Sequence, residues 1–235
     1  MDLKQTMAEL ERLGSEQTRK TMKAHGSSGD FFGVKVADLK TVLKKIKGRQ
    51  DLALELYDTG NLDAMYLAGL AVDGSKMTRQ ELQRWVEKAR SAMICEYAVP
   101  WVAAESPHAR ELALRWMDSP RECVAAAGWN TYSGIVSLTA DDRLDLDEIR
   151  SLLARVEREI GKAPNRARYC MNGFVIAVGG SVTPLAAAAR ATARRLGTVE
   201  VDMRGTACKV PSALAAIEKI AAMGRTGKKR KTMKC

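Results

Sequence analysis

Hydrophobic residues recur along this chain at intervals of three and four, as Leu39, Val42, Leu43 and Ile46 in one segment and Leu152, Leu153, Val156 and Ile160 in another. That period places apolar side chains on one stripe of a helix, so each such segment predicts an amphipathic helix with a face to bury. Turn signals separate the segments, among them Gly26-Ser27-Ser28-Gly29, Gly60-Asn61, Ala163-Pro164 and Val210-Pro211. Ser or Thr directly before Pro, as at Ser106-Pro107, Ser119-Pro120 and Thr183-Pro184, marks a helix start. The hydroxyl can cap free amides, and proline has no amide to lose in the first turn. About a dozen helices follow from this reading. Short helices joined by short loops stack most simply as antiparallel pairs, each leaving an apolar face for the next to cover. The prediction is an all-α fold, a curved α-helical solenoid of degenerate HEAT-like repeats forming one domain over residues 1–223. No repeat shows as sequence identity, so a compact irregular bundle is the alternative.

Two stretches depart from the helical pattern. Val199, Val201 and Met203 alternate with Glu200 and Asp202, which fits a short strand or an extended loop between the last two helices. The longest uncharged run, Met171 to Ala189, is interrupted by Asn172, Gly179-Gly180 and Thr183-Pro184. It reads as one buried helix ending and another beginning, not as a membrane span.

Composition agrees with a helical, soluble protein: 46% of residues are hydrophobic and 28% charged, while aromatics, which would help seed strands, reach only 5%. The opening MDLKQTMAELERLG is charged and amphipathic without the apolar core of a signal peptide, so a cytoplasmic location and no membrane partner are expected. Cysteines at 95, 123, 170, 208 and 235 are widely spaced, with only His25 and His108 to join them. That spacing suits neither a disulfide framework nor a zinc site, and small buried thiols are the expectation. GxSxG and HExxH signatures are absent, and Gly224 to Lys228 lacks the spacing and the following Ser or Thr of a phosphate loop.

Positive charge is more informative. The net charge is +10, and the six cations of GRTGKKRKTMKC, Gly224 to Cys235, leave only +4 for the 223 residues before it. Further clusters are Lys35, Lys40, Lys44 and Lys45 around one helix and Arg166 with Arg168 near another. In a solenoid, clusters far apart in sequence can line one concave surface and follow the phosphates of double-stranded DNA. The acidic run from Asp141 to Glu148 is expected on the opposite side. Residues 224–235, with Lys228, Lys229, Arg230 and Lys231, hold too few apolar groups to fold alone and predict a flexible phosphate-binding arm.

Four stretches, TMKAHGSSGDFFGVKVADLKTV, LALELYDTGNLDAMYLAGLAVD, ICEYAVPWVAAES and MNGFVIAVG, resemble the DNA alkylation repair family, the HEAT-like-repeat alkylpurine DNA glycosylases. The resemblance runs roughly from Thr18 to Arg195 and is nearest a subgroup with a VDMRGTACKVP-like segment and a basic tail. It implies a concave, basic, DNA-holding surface and excision of N3- or N7-alkylated purines, a reaction that needs no metal and no other cofactor, and a monomer is expected. In such a reaction a carboxylate supports the cationic sugar that develops as the glycosidic bond breaks. Glu96 matches the family's aspartate with one methylene more, and Phe174 falls at a second aromatic wall. Ala92 stands where the family has tryptophan, Thr21 where it has tyrosine, and Val124 to Ala127 where it has arginine. Tyr97, Trp101, Trp129 and Tyr132 are the aromatics available to rebuild the pocket. A helical-repeat module that binds damaged or branched nucleic acid, or a protein, without catalysis is the rival reading.

Overall fold

The computed structural model describes residues 1–235 and contains thirteen α-helices and no strand. In chain order they are α1 (Leu3–Leu13), α2 (Glu16–Ala24), α3 (Val36–Ile46), α4 (Gln50–Asp58), α5 (Leu62–Ala71), α6 (Arg79–Lys88) and α7 (Val99–Ala104). The second half adds α8 (Ala109–Met117), α9 (Glu122–Leu138), α10 (Leu146–Glu159), α11 (Asn165–Ser181), α12 (Ala186–Leu196) and α13 (Ala213–Ala222). Side-chain caps set several of the starts. Asp2 with Gln5 and Thr78 with Glu81 close reciprocal capping boxes on α1 and α6, and Ser15, Asn61, Asp145 and Ser212 accept from the first-turn amides of α2, α5, α10 and α13. Each cap satisfies amides that would otherwise lack a partner and stabilises its helix by about 0.5–2 kcal/mol.

From α4 onward the helices pair as a solenoid requires: α4 with α5, α6 with α7, α8 with α9, α10 with α11 and α12 with α13. The second members, α5, α7, α9, α11 and α13, form one continuous inner layer. Core side chains fall into two clusters, one containing Trp85 and Trp116 and the other Trp129 and Phe174. Both draw residues from α8 and α9, which are the seam between them. The helices approach closely there because residue 128 is glycine: a Cβ on Gly128 would lie 2.6 Å from the Met117 nitrogen. The uncharged run divides as predicted, α11 ending at Ser181 and the chain bending by 115° into the next helix. No single helix is long and apolar enough to cross a membrane.

Of the two readings of the 197–212 segment, the extended loop is the one formed; Asn165 exchanges hydrogen bonds with the backbone of Asp202, and Arg168 and Asn172 donate to the carbonyls of Glu200 and Pro211. It crosses from α11 to the end of α2, where the Arg204 guanidinium presses on Gly26 so closely that a Cβ there would stand 2.6 Å from Nε.

The tail, in turn, is not a free arm. It runs across the C-terminal ends of the inner helices: Gly227 N–H donates to Gly180, Arg230 N–H to Ser137 and Lys229 Nζ to Val136, at 2.8 to 2.9 Å. Met233 N–H donates to the Glu105 carboxylate just after α7, and Lys234 Nζ to the Val72 carbonyl at the end of α5. The last carbonyls of a helix have no partner within it and carry the negative end of its dipole, so a basic strand of chain suits that edge. Composition alone could not reveal that partner. Asp141 of the acidic run receives Lys229 at 2.8 Å, so this run meets the tail and does not face away from the basic groups.

Candidate functional site

Glu96 sits where Pro100 disturbs the helix. A proline has no amide to give the carbonyl four residues back. The backbone widens into a π-helical turn over Ile94–Ala98, with the Val99 amide reaching the Ile94 carbonyl. Asn130 of α9 donates to the orphaned Glu96 carbonyl at 2.7 Å. Single π turns of this kind often occur at functional positions. Here the turn presents Glu96 to the start of α11, where Arg166 grips both carboxylate oxygens, Nε to Oε1 at 2.5 Å and Nη2 to Oε2 at 2.7 Å. The guanidinium also lies 4.5 Å over the Tyr169 ring and touches Met203 Sδ. Side-chain exposure is 1% for Glu96 and 21% for Arg166. Burial pushes the Glu96 carboxyl above its ordinary range while the Arg166 fork pulls against that shift. The hydrogen bonds from Arg166 to Glu96 raise the guanidinium further.

The pair forms part of the wall of a cleft of about 520 Å³. Five parts of the chain build it: the end of α2, the π turn with the residues just before it, the first turn of α9, the first turn of α11, and the segment that carries Met203 to Lys209. Thr21, Ala92 and Glu96, which the resemblance sets in one site, do line it together. Arginine is absent from the 124–127 stretch, and the guanidinium beside the carboxylate comes from α11 instead. Tyr97, 41% exposed, and Tyr169 supply the aromatic surface. Arg90, Arg204 and Lys209 place further cations on the exposed rim.

The other expected aromatics are not brought into the cleft. Trp129, Tyr132 and Phe174 are buried together, Phe174 with ring centroids 5.4 Å from Trp129 and 5.8 Å from Tyr132. The Tyr132 hydroxyl is spent on Glu148. Trp101 packs against Tyr66 and touches the cleft only through Tyr97, 5.8 Å away. Alternation of aromatic and small residues on a helix reads alike for core and cleft, which is why the sequence could not separate them. Lys35, Lys40, Lys44 and Lys45 are exposed around α3, but none lines the cleft, and Lys45 pairs with Glu9 at 3.0 Å. Arg168 donates to the loop carbonyls of Ala163 and Glu200. In the tail Lys228, Arg230 and Lys231 are exposed, whereas Lys229 is taken up by Val136 and Asp141.

Sequence reasoning missed the pairing of Cys95 with Cys123, whose Cα atoms are 5.4 Å apart and which the structure joins as a disulfide at the cleft wall. Twenty-eight residues separate them, so only the packing of the π turn on α9 brings them within reach. It also missed His25 and Cys208, which meet across the mouth of the cleft.

Comparison with known proteins places this arrangement. The family model described as DNA alkylation repair enzyme matches residues 6–188. Uncharacterised proteins of Listeria innocua and Listeria monocytogenes are 32% and 31% identical over 216 residues, which is 90% of this chain and 93% of each relative. A solved structure, described as belonging to a new family of proteins related to the HEAT-like repeat DNA glycosylases with affinity for branched DNA structures, superposes over 100% of both chains. Its TM-score is 0.91 and its sequence identity 36%. With a helical-repeat fold and a carboxylate-bearing cleft in place, these matches mean that the chain belongs to the DNA alkylation repair enzyme family.

Proposed function

We propose that this protein binds branched or damaged DNA across its cleft and does not excise bases. The observation that carries this reading is the closed Glu96–Arg166 pair. Excision of a cationic purine, the activity that the resemblance implies, calls for a carboxylate whose charge is free to act on the developing sugar cation. The charge of Glu96 is already neutralised, and the walls that would hold the base are Thr21 and Ala92. What the cleft offers is recognition chemistry. Rim cations at Arg90, Arg204 and Lys209 suit phosphates, and the Tyr97 ring offers a face on which a base unstacked at a junction can lie. The affinity for branched DNA described for the structural neighbour fits the same surface. In this reading the protein works as a monomer in the cytoplasm, holds the duplex arms of its target through their phosphates, and uses no metal or organic cofactor.

The test is a binding comparison at fixed salt between a four-way junction and a linear duplex of equal length, with base release measured from N-methylated duplex. Junction binding tighter by at least about tenfold, with no release above background, is expected. Equal affinities would remove the preference for branches. Release of methylated purine by the wild type, lost in Glu96→Gln, would restore the excision reading.

A further inference from the structure

At the mouth of the cleft the Cys208 Sγ stands 3.4 Å from His25 Nε2. The other ring nitrogen, Nδ1, is 2.8 Å from the carbonyl oxygen of Thr21, one turn earlier in α2. A carbonyl only accepts, so Nδ1 carries the proton, and in the neutral ring the bare nitrogen is the one that faces the thiol. A sulfur nucleophile, a base within reach and a third group that orients the base are the parts of an activated thiol. Both side chains are exposed, so the sulfur is reachable. The charges agree with the geometry: the Thr21 carbonyl and then the Cys208 sulfur push the imidazole up, and the imidazole pulls the thiol down, helped by Thr206 and the nearby Arg166. No other cysteine has these features. Cys95 and Cys123 are joined, Cys170 is buried with its thiol pushed up by burial, and Cys235 is exposed beside only the Tyr66 hydroxyl.

We propose that Cys208, with His25 as its base, is a nucleophilic modification site that takes alkyl groups from soft carbon electrophiles at the mouth of the cleft. His25 Nε2 takes the thiol proton and the sulfur attacks the electrophilic carbon. The S–C bond forms while the bond to the leaving group breaks, and that group departs with the electron pair. The product is a thioether, and the imidazolium returns its proton to water. A thioether has neither proton nor charge to offer His25, so alkylation loosens the hold of the 197–212 segment on α2.

The test uses the full-length, unreduced protein and iodoacetamide near neutral pH, with each cysteine followed by peptide mass mapping. Cys208 is expected to be carbamidomethylated at least about tenfold faster than Cys235, the exposed cysteine without a base. His25→Gln is expected to bring Cys208 down to the rate of Cys235 while the helical circular dichroism stays unchanged. Equal rates for Cys208 and Cys235 in the wild type overturn the proposal whatever the variant does, and so does a Cys208 rate that His25→Gln leaves unchanged.

Discussion

Replacing Arg166 by Met removes the counter-charge from a carboxylate that water does not reach. The two members of the pair differ in this respect: Glu96 is 1% exposed and Arg166 21%. Without Arg166, the carboxylate keeps only its place in the π turn and must stay buried and charged or take up a proton. Breaking a buried pair in this way costs about 3–5 kcal/mol. Without the Glu96 charge, as in Glu96→Gln, the guanidinium can turn toward cleft water, and the loss is that of charge-assisted hydrogen bonds, about 1–2 kcal/mol. For a chain of this size each kcal/mol moves the melting temperature by roughly 2–4 °C, so Arg166→Met should lower it by roughly 6–20 °C and Glu96→Gln by roughly 2–8 °C. The penalty should depend on pH with a definite sign. Burial already holds the Glu96 carboxyl above its ordinary range, and losing Arg166 raises it further. In the variant, the folded state therefore binds a proton more readily than the unfolded state. Its deficit is greatest near neutral pH and shrinks as pH falls toward the unfolded carboxyl value of roughly 4.3. Urea unfolding followed by the fluorescence of the four buried tryptophans, Trp85, Trp101, Trp116 and Trp129, measures all of this at pH 7.5 and 5.5. The reasoning fails if Glu96→Gln costs more than Arg166→Met, or if the Arg166→Met deficit does not diminish on acidification.

Deleting residues 225–235 should cost about 1–3 kcal/mol after the ordering entropy of the tail is offset, which lowers the melting temperature by roughly 2–12 °C, and an unchanged melting curve in scanning fluorimetry would mean the tail is a solvated end. Asp63→Ala should cost about 2–4 kcal/mol in urea unfolding, because the buried carboxylate accepts from the amides of Phe32, Gly33 and Val34 and its removal orphans all three. A loss below about 0.5 kcal/mol would refute that account. Tyr97→Ala should weaken junction binding by about 1–3 kcal/mol with little change in melting temperature, as expected of a stacking surface; unchanged affinity in a mobility-shift titration would exclude the ring from the interface.

The helical nature of the chain and its pairing were legible because both follow from local chemistry. The period of Leu39, Val42 and Ile46 and the turn at Gly60-Asn61 act within a turn or two, and both reappear in the fold as predicted, whereas the helices after Ser106, Ser119 and Thr183 begin without a side-chain cap. Glu96 was legible through the resemblance alone, and its setting became clear only in the fold, where Pro100, four residues on, breaks the ladder at that carbonyl. The rest depends on contacts that no local pattern encodes. Arg166 reaches Glu96 across 70 residues, Lys234 reaches Val72 across 162, and His25 meets Cys208 across 183. The FFGV stretch shows the same limit: the amides of Phe32, Gly33 and Val34 converge on Asp63, 29 to 31 residues later, a partner that no local pattern names.

The two edges of the inner layer explain where the charge of the chain is placed. The first turns of α9 and α11 line the cleft, and the last turns of α9 and α11 meet the tail, so these helices run side by side in the same direction. Their N-terminal ends, with the positive end of the dipole, line the opening proposed for phosphates, and there the Arg166 amide already donates to the Glu122 carboxylate at 2.8 Å. Their C-terminal ends would present carbonyls to anything negative, and this is the edge that the basic tail covers. Lys229 and Lys234 are spent on carbonyls and carboxylates there, while Arg225, Lys228, Arg230 and Lys231 stay exposed. The tail thus turns a negative edge into a positive one, and its cations serve the fold and the surface potential together.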